Sequence, residues 1–363
     1  MIIDVHGHLC ASPKLYAWFT LLLASRASYG TPPPPISDDE MLALVETRRN
    51  LDAIDGAGTD VQLISPRPFS MFHAERPGRV VHRWIEGVNA YIAQFCRVLP
   101  DRFAGIAGLP QPAGEPVATS LPELERCIKE YGFVGCLLDP DPGEGDNKTP
   151  DLGDEYWYPL YQKLVELDVP AHIHATGNRY GRGTYSTHFI DEESLAILSL
   201  LNSRVFLDFP ELKVIVSHGG GSVPYQVGRW RAERLHPVIG KNLPLKESFD
   251  EGLRRLYYDT VLHSKEALAM LIRLVGSDRV VFGTENPGSG TALNPQTGRS
   301  FDDIKALLDE LEFLTPADRA NILEQNARRL FPRLKAKGGA PAPGTTDAKK
   351  YLSAQNARVG IGM

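Results

Sequence analysis

Near the start of the chain, His6 and His8 stand one residue apart at the end of the apolar run Ile2-Ile3-Asp4-Val5. In an extended segment, side chains at i and i+2 project from the same side, so both imidazoles can reach one point, as two ligands of one metal ion do. An isolated His-x-His is a weak signal, and its weight depends on matching ligands elsewhere. Ala171-His172-Ile173-His174, Ser217-His218 before Gly219-Gly220-Gly221, and Thr284-Glu285 supply them; five of the ten histidines fall in three of these segments. Imidazole and carboxylate donors suit zinc, with manganese as the other candidate, and a catalytic ion keeps one position open for water or substrate. His6, His8, His174 and Glu285 are the expected ligands. His172 shares a face with His174, so one of the pair is expected to support the site or face substrate. His218 is expected to polarise substrate or donate a proton, the triple glycine to admit close backbone approach, and Asp259 either to orient a histidine or to serve as a buried structural carboxylate.

Such groups must be brought together by a repeated element. Eight short β-rich segments, each followed by helix-forming sequence, run from residues 1–8 through 60–65, 103–109, 133–138, 171–174, 213–218 and 256–259 to 279–283. Regular alternation of this kind implies a parallel sheet, and eight units imply a (β/α)8 TIM barrel. An open doubly wound sheet is disfavoured because no Gly-rich dinucleotide fingerprint follows the first strand. In a barrel, chemistry gathers at the C-terminal strand ends, which is where these histidines and acids stand. Ser37 and Glu40 read as a capping box for a helix running to about Gly56 or Gly58. A second helix is expected from about Glu192. Residues 1–334 form the expected catalytic domain, with insertions in the loops, and 335–363 a Gly/Pro-rich linker and tail.

The loops at the same ends are rich in groups that bind anions. Arg67 follows the second strand, and the segment from Thr176 to His188 carries Arg179, Arg182, Tyr180, Tyr185 and His188. Guanidinium forks match carboxylates, so Arg67, His172, Arg179, Tyr185 and His188 are the expected contacts to a small di- or tricarboxylate. The formal net charge of -6 gives no footprint for nucleic acid. No run is apolar and long enough to span a bilayer. Four scattered cysteines without a C-x-x-C spacing read as reduced thiols of a cytoplasmic protein.

The segments His6-Gly7-His8, Ala171–His174, Ser217–Gly221 and Phe282-Gly283-Thr284-Glu285 resemble the metal-site segments of the amidohydrolase superfamily. The resemblance is strongest to its branch of aromatic-acid decarboxylases and related lyases, and within that to hydratases of protocatechuate and gallate 4,5-cleavage. It is carried further by Leu63–Pro68, Gly108-Leu109-Pro110-Gln111, Tyr156–Tyr161 and Asn326-Ala327-Arg328, and it spans about residues 1–334. It implies a metal-dependent enzyme, a homodimer or higher homo-oligomer, and addition of water across a carbon–carbon double bond. Glu285 would take a proton from water and His218 would protonate or polarise the conjugated oxo group. The decarboxylases usually carry Asp where this chain has Glu285. Non-oxidative decarboxylation of a hydroxylated aromatic acid is the alternative, with lactone hydrolysis and a non-catalytic metal scaffold behind it.

Overall fold

Eight strands alternate with helices along the chain: β1 (Ile3–Leu9), β2 (Val61–Pro66), β3 (Phe103–Ala107), β4 (Gly135–Leu138), β5 (Ala171–Ile173), β6 (Val214–Val216), β7 (Tyr257–Asp259) and β8 (Val280–Val281). The computed structural model describes residues 1–334 except Arg49, residues 180–182 and Leu245, and excludes the side chains of Ala53 and Tyr185. The expected tail from residue 335, together with Tyr180 and Arg182, lies outside the described residues.

All neighbouring strands pair in parallel and in sequential order. Two backbone bonds join the first strand to the segment of the last: Val5 N–H donates to Phe282 O at 2.8 Å and Glu285 N–H to His6 O at 2.7 Å. The sheet thus closes into the (β/α)8 barrel. Asp4 reinforces the seam. One of its oxygens accepts from the backbone N–H groups of His6 (3.0 Å) and Thr284 (3.1 Å), the other from Gln62 Nε2 (3.0 Å) and Thr284 Oγ1 (2.6 Å).

The barrel interior holds Ile3, Val5, Leu63, Ile106, Leu137, Ile215 and Val281, with Leu330 and Phe331 closing its lower end. A larger apolar layer lies between strands and helices and includes Leu9, Ile64, Cys136, Leu138, Ala171, Ile173, Val214 and Val216. Helix Arg79–Val98 shows how the layer forms: Val81, Trp84, Ile85, Val88, Ile92 and Phe95 recur at three- and four-residue spacing and are all buried.

Strict alternation from Ile3 and Val5 would send His6 and His8 outward. The β1–β2 register shifts between Asp4 and Gly7. A bulge of this kind inverts the facing of the residues beyond it, so the histidines enter the barrel and Leu9 joins the outer layer. Gly7 is required for a second reason. A Cβ there would lie 2.4 Å from the Gln62 side chain, whose amide crosses the strand to reach both Asp4 and Asn286 O.

Two expectations about helices change. The Ser37 capping box forms, with Ser37 Oγ accepting from Glu40 N at 3.2 Å and Glu40 Oε2 from Ser37 N at 3.0 Å. Its helix, however, ends at Thr47, and a separate helix spans Asn50–Gly56. The helix after β5 starts at Tyr185, well before Glu192, because Thr184 caps it by accepting from Thr187 N. The closing helical stretch is interrupted by a π-helical segment, Asn321–Gln325, where Ile322 O accepts from Phe282 N and leaves the helical ladder.

Replacing Asp4 by Ala would leave four buried donors at the seam without an acceptor. Asp4→Ala should lower unfolding free energy by about 3–5 kcal/mol, read as a drop in denaturant midpoint. An unchanged midpoint would show that the seam does not depend on this carboxylate.

Candidate metal centre and active site

The inverted face of β1 and the ends of β5 and β8 bring four expected ligands together. His6, His8, His174 and Glu285 each offer one donor atom, all within 4.8 Å of one another. The partners of the three imidazoles fix which nitrogen carries the proton. His174 Nδ1 lies 2.6 Å from Ala175 O, which can only accept. His6 Nδ1 lies 2.6 Å from Asp259 Oδ2. His8 Nδ1 lies 2.9 Å from Ser65 Oγ, and that hydroxyl has the carbonyls of Gly7 and Pro66 to receive its own proton. Every Nδ1 therefore donates, and every Nε2 presents a lone pair to the same space.

Two observations make that space a candidate cation site. His6 Nε2 and His8 Nε2 stand 3.1 Å apart, close enough to share one ion. His174 Nε2 is buried and has no hydrogen-bond partner among the described residues. Burial, together with neighbouring imidazoles, pushes His8 and His174 well below the usual histidine range, which keeps them neutral, as metal ligands must be. The donor set and its supporting acceptors fit a divalent ion.

Asp259 takes the orienting role. Burial alone would raise its carboxyl, but hydrogen bonds from His172 and His6 hold it well below the carboxylate range. It also accepts from the backbone N–H groups of Gly219 and Val261, each at 3.1 Å. His172 lies one layer deeper than His174. Its Nε2 is 3.1 Å from Ser217 Oγ and 3.5 Å from Asp259 Oδ2, and burial lowers it to about 4.

His218 and Glu285 face one another across the centre, His218 Nε2 standing 3.7 Å from Glu285 Oε1. Both adopt positive φ, 50° and 60°, where a non-glycine backbone is strained. Glu193, on helix Tyr185–Asn202, grips His218 Nδ1 with both oxygens at 2.9 and 2.8 Å. Burial works against charge on His218, but the Glu193 and Glu285 carboxylates raise it well above the imidazole range, so it carries a proton to give. Sequence reasoning passed over Glu193. Its only signal was the acidic run Asp191-Glu192-Glu193 on a helix beside the site. The triple glycine serves packing here: Cβ atoms at 219, 220 and 221 would meet Leu262, Tyr258 and Ile190 O at 2.6–2.8 Å, all protein atoms.

The other expected groups sit in more varied surroundings. Arg67 donates to Pro287 O at 3.3 Å, packs 4.7 Å over the Phe69 ring, and its charge is felt by His8. Arg179 is drawn to Glu144 (2.5 Å) and Glu75 (2.7 Å). His188 faces Asp141 and Glu192. Tyr185 opens its helix, and its side chain lies outside what is described. His73, unremarked in the sequence, is fully buried between Asp139 Oδ2 (2.7 Å) and Leu109 O (3.0 Å).

Asp259→Asn keeps the shape but loses the charge that holds His6 in its tautomer. It should weaken divalent-metal affinity about 10–100-fold, measured by competition with a chromogenic chelator. Affinity equal to the unsubstituted protein would assign Asp259 a purely structural part.

Comparison with known proteins agrees with this geometry. The profile of the amidohydrolase family matches residues 3–333. A 2-keto-4-carboxy-3-hexenedioate hydratase of Sphingobium sp. (strain NBRC 103272 / SYK-6) is 38% identical over 347 residues, 93% of this chain and 98% of that protein. A gamma-resorcylate decarboxylase of Rhizobium radiobacter is 30% identical over 258 residues, 67% of this chain and 74% of that one. The crystal structure of 4-oxalomesaconate hydratase from Rhodopseudomonas palustris superposes with a TM-score of 0.79 at 32% identity, covering 99% of this chain and 100% of the other. With candidate histidine ligands at the ends of β1 and β5 and a carboxylate after β8, the chain belongs to the amidohydrolase family of enzymes.

Proposed function

We propose that the enzyme is a metal-dependent hydratase that adds water across the double bond of 4-oxalomesaconate (2-keto-4-carboxy-3-hexenedioate), giving 4-carboxy-4-hydroxy-2-oxoadipate. The observation that carries the reading is the double position of Glu285, among His6, His8 and His174 and yet 3.7 Å from His218. A glutamate so placed can exchange a proton with water on one side while a protonated His218 serves substrate on the other. Two hydratases that match nearly the whole chain support it.

His6, His8, His174 and Glu285 would hold a divalent ion, zinc by its donor set with manganese as the other candidate. Such an ion supplies Lewis acidity that makes water acidic near neutral pH. Glu285 accepts the proton of the attacking water, whose oxygen bonds to the carbon bearing the 4-carboxylate. The electron pair of the double bond moves toward the 2-oxo group. His218, held by Glu193, hydrogen-bonds the developing oxyanion and delivers the proton that completes the product. Arg67 anchors a carboxylate. His172 acts through Asp259, which its Nε2 faces, and Arg179 reaches substrate by exchanging one glutamate partner. No helix among the described residues is long and apolar enough to cross a membrane, consistent with a cytoplasmic enzyme. Exposed Leu235, Val238 and Ile239 between β6 and β7 support assembly of two or more copies.

Loss of the ultraviolet absorbance of 4-oxalomesaconate, with a product heavier by one water, tests the reaction directly. Release of carbon dioxide from hydroxylated benzoates, with no hydration, would instead make the enzyme a decarboxylase. Glu285→Gln should lower kcat at least about a hundredfold in protein whose metal content is verified; near-normal turnover with metal retained would remove Glu285 as the base. Arg67→Ala should raise KM about tenfold, the loss of one charge-assisted hydrogen bond, with kcat changed much less. An unchanged KM would place the carboxylate elsewhere.

A further inference from the structure

A second group of ligand-type side chains stands apart from the centre described above and shares no residue with it. Helix Tyr185–Asn202 carries His188 and Glu192 one turn apart, hence on one face. Asp141, from the loop after β4, meets them there, and one donor atom of each lies within 4.8 Å of the others. His188 and Asp141 are each only 6% exposed. His188 Nε2 is 3.7 Å from Asp141 Oδ2, beyond hydrogen-bond reach, and finds no partner among the described residues. The loop is pre-shaped, since Gly145 N–H donates to Asp141 Oδ2 at 2.6 Å and Asp141 N–H to Asp139 Oδ1 at 3.0 Å.

We propose that Asp141, His188 and Glu192 form a second divalent-cation site, one that clamps the β4 loop to the helix supporting the active site. The charge balance favours it. Asp141 and Glu192 lie close enough to each other and to Asp139 for their carboxylates to repel one another. In this structure the nearby Arg179 pairs with Glu144 and Glu75. The buried Nε2 of His188, unpartnered among the described residues, is the donor such a site would use. Two carboxylates and one imidazole suit a first-row divalent ion such as Mn2+, with water completing the shell. The adjacent face of the same helix carries Phe189, 5.0 Å from the His174 ring, and Glu193, which holds His218. An ion on one face therefore steadies the groups that the other face presents to the catalytic centre.

The test is Mn2+ binding to the full chain after chelator treatment, with free Mn2+ counted by electron paramagnetic resonance. The expected result is two equivalents per chain. Glu192→Gln and His188→Asn should each weaken one equivalent by at least tenfold and keep the other, whereas His6→Asn should remove the one they keep. The equivalent retained in each variant certifies that it is folded. One equivalent in the unsubstituted protein, or two undiminished equivalents in both Glu192→Gln and His188→Asn, would overturn the proposal. Neither outcome depends on which reaction the enzyme catalyses.

Discussion

Closure of the barrel between β1 and β8 is the constraint on which the rest of the site depends. His6 and His8 come from the first strand and Glu285 from the end of the last, more than 270 residues away in sequence. They become neighbours only because Val5 and Glu285 donate across the seam and Asp4 collects four donors from both sides. The buried carboxylate is tolerated there because each oxygen is fully engaged. The bond from Glu285 N to His6 O means that the backbone of one expected ligand is positioned by the backbone of another. Fold and metal geometry are thus one set of interactions.

Above the seam, the acceptors around the histidines matter as much as the histidines. A carboxylate, a hydroxyl and a carbonyl are chemically unlike, yet each takes an Nδ1 proton, and the result is three lone pairs with a common focus. His218 shares with His6 a carboxylate at Nδ1, but its Nε2 also faces a carboxylate, Glu285, and the two together hold the ring charged. Two protonation states of the same residue type are maintained within one cluster of rings, whose centroids lie about 5 Å apart. The difference arises because two carboxylates flank His218, whereas a hydroxyl and a carbonyl support His8 and His174.

The strand–helix rhythm and the convergence of His6, His8, His174 and Glu285 at the strand ends were legible in the sequence, because periodicity and strand-end position are local properties. The β1 bulge was not, since it depends on the pairing of Asp4 and Gly7 with β2. Glu193 was hidden because its partner is 25 residues away and its neighbours are also acidic. The early helix start at Tyr185 turned on a single threonine cap inside a Gly- and Arg-rich stretch. Arginine content alone suggested an anion-binding loop; only the fold shows that glutamates from two other loops meet Arg179.

The positive φ values of His218 and Glu285 bear on how such an enzyme can change over time. At both positions the backbone would be more comfortable with glycine, by about 1–2 kcal/mol each. On the proposed mechanism, selection for folding alone would erode this pair, and keeping it sets turnover against thermostability. A laboratory lineage freed from the need to metabolise should shed these two side chains early and gain heat resistance as it does so.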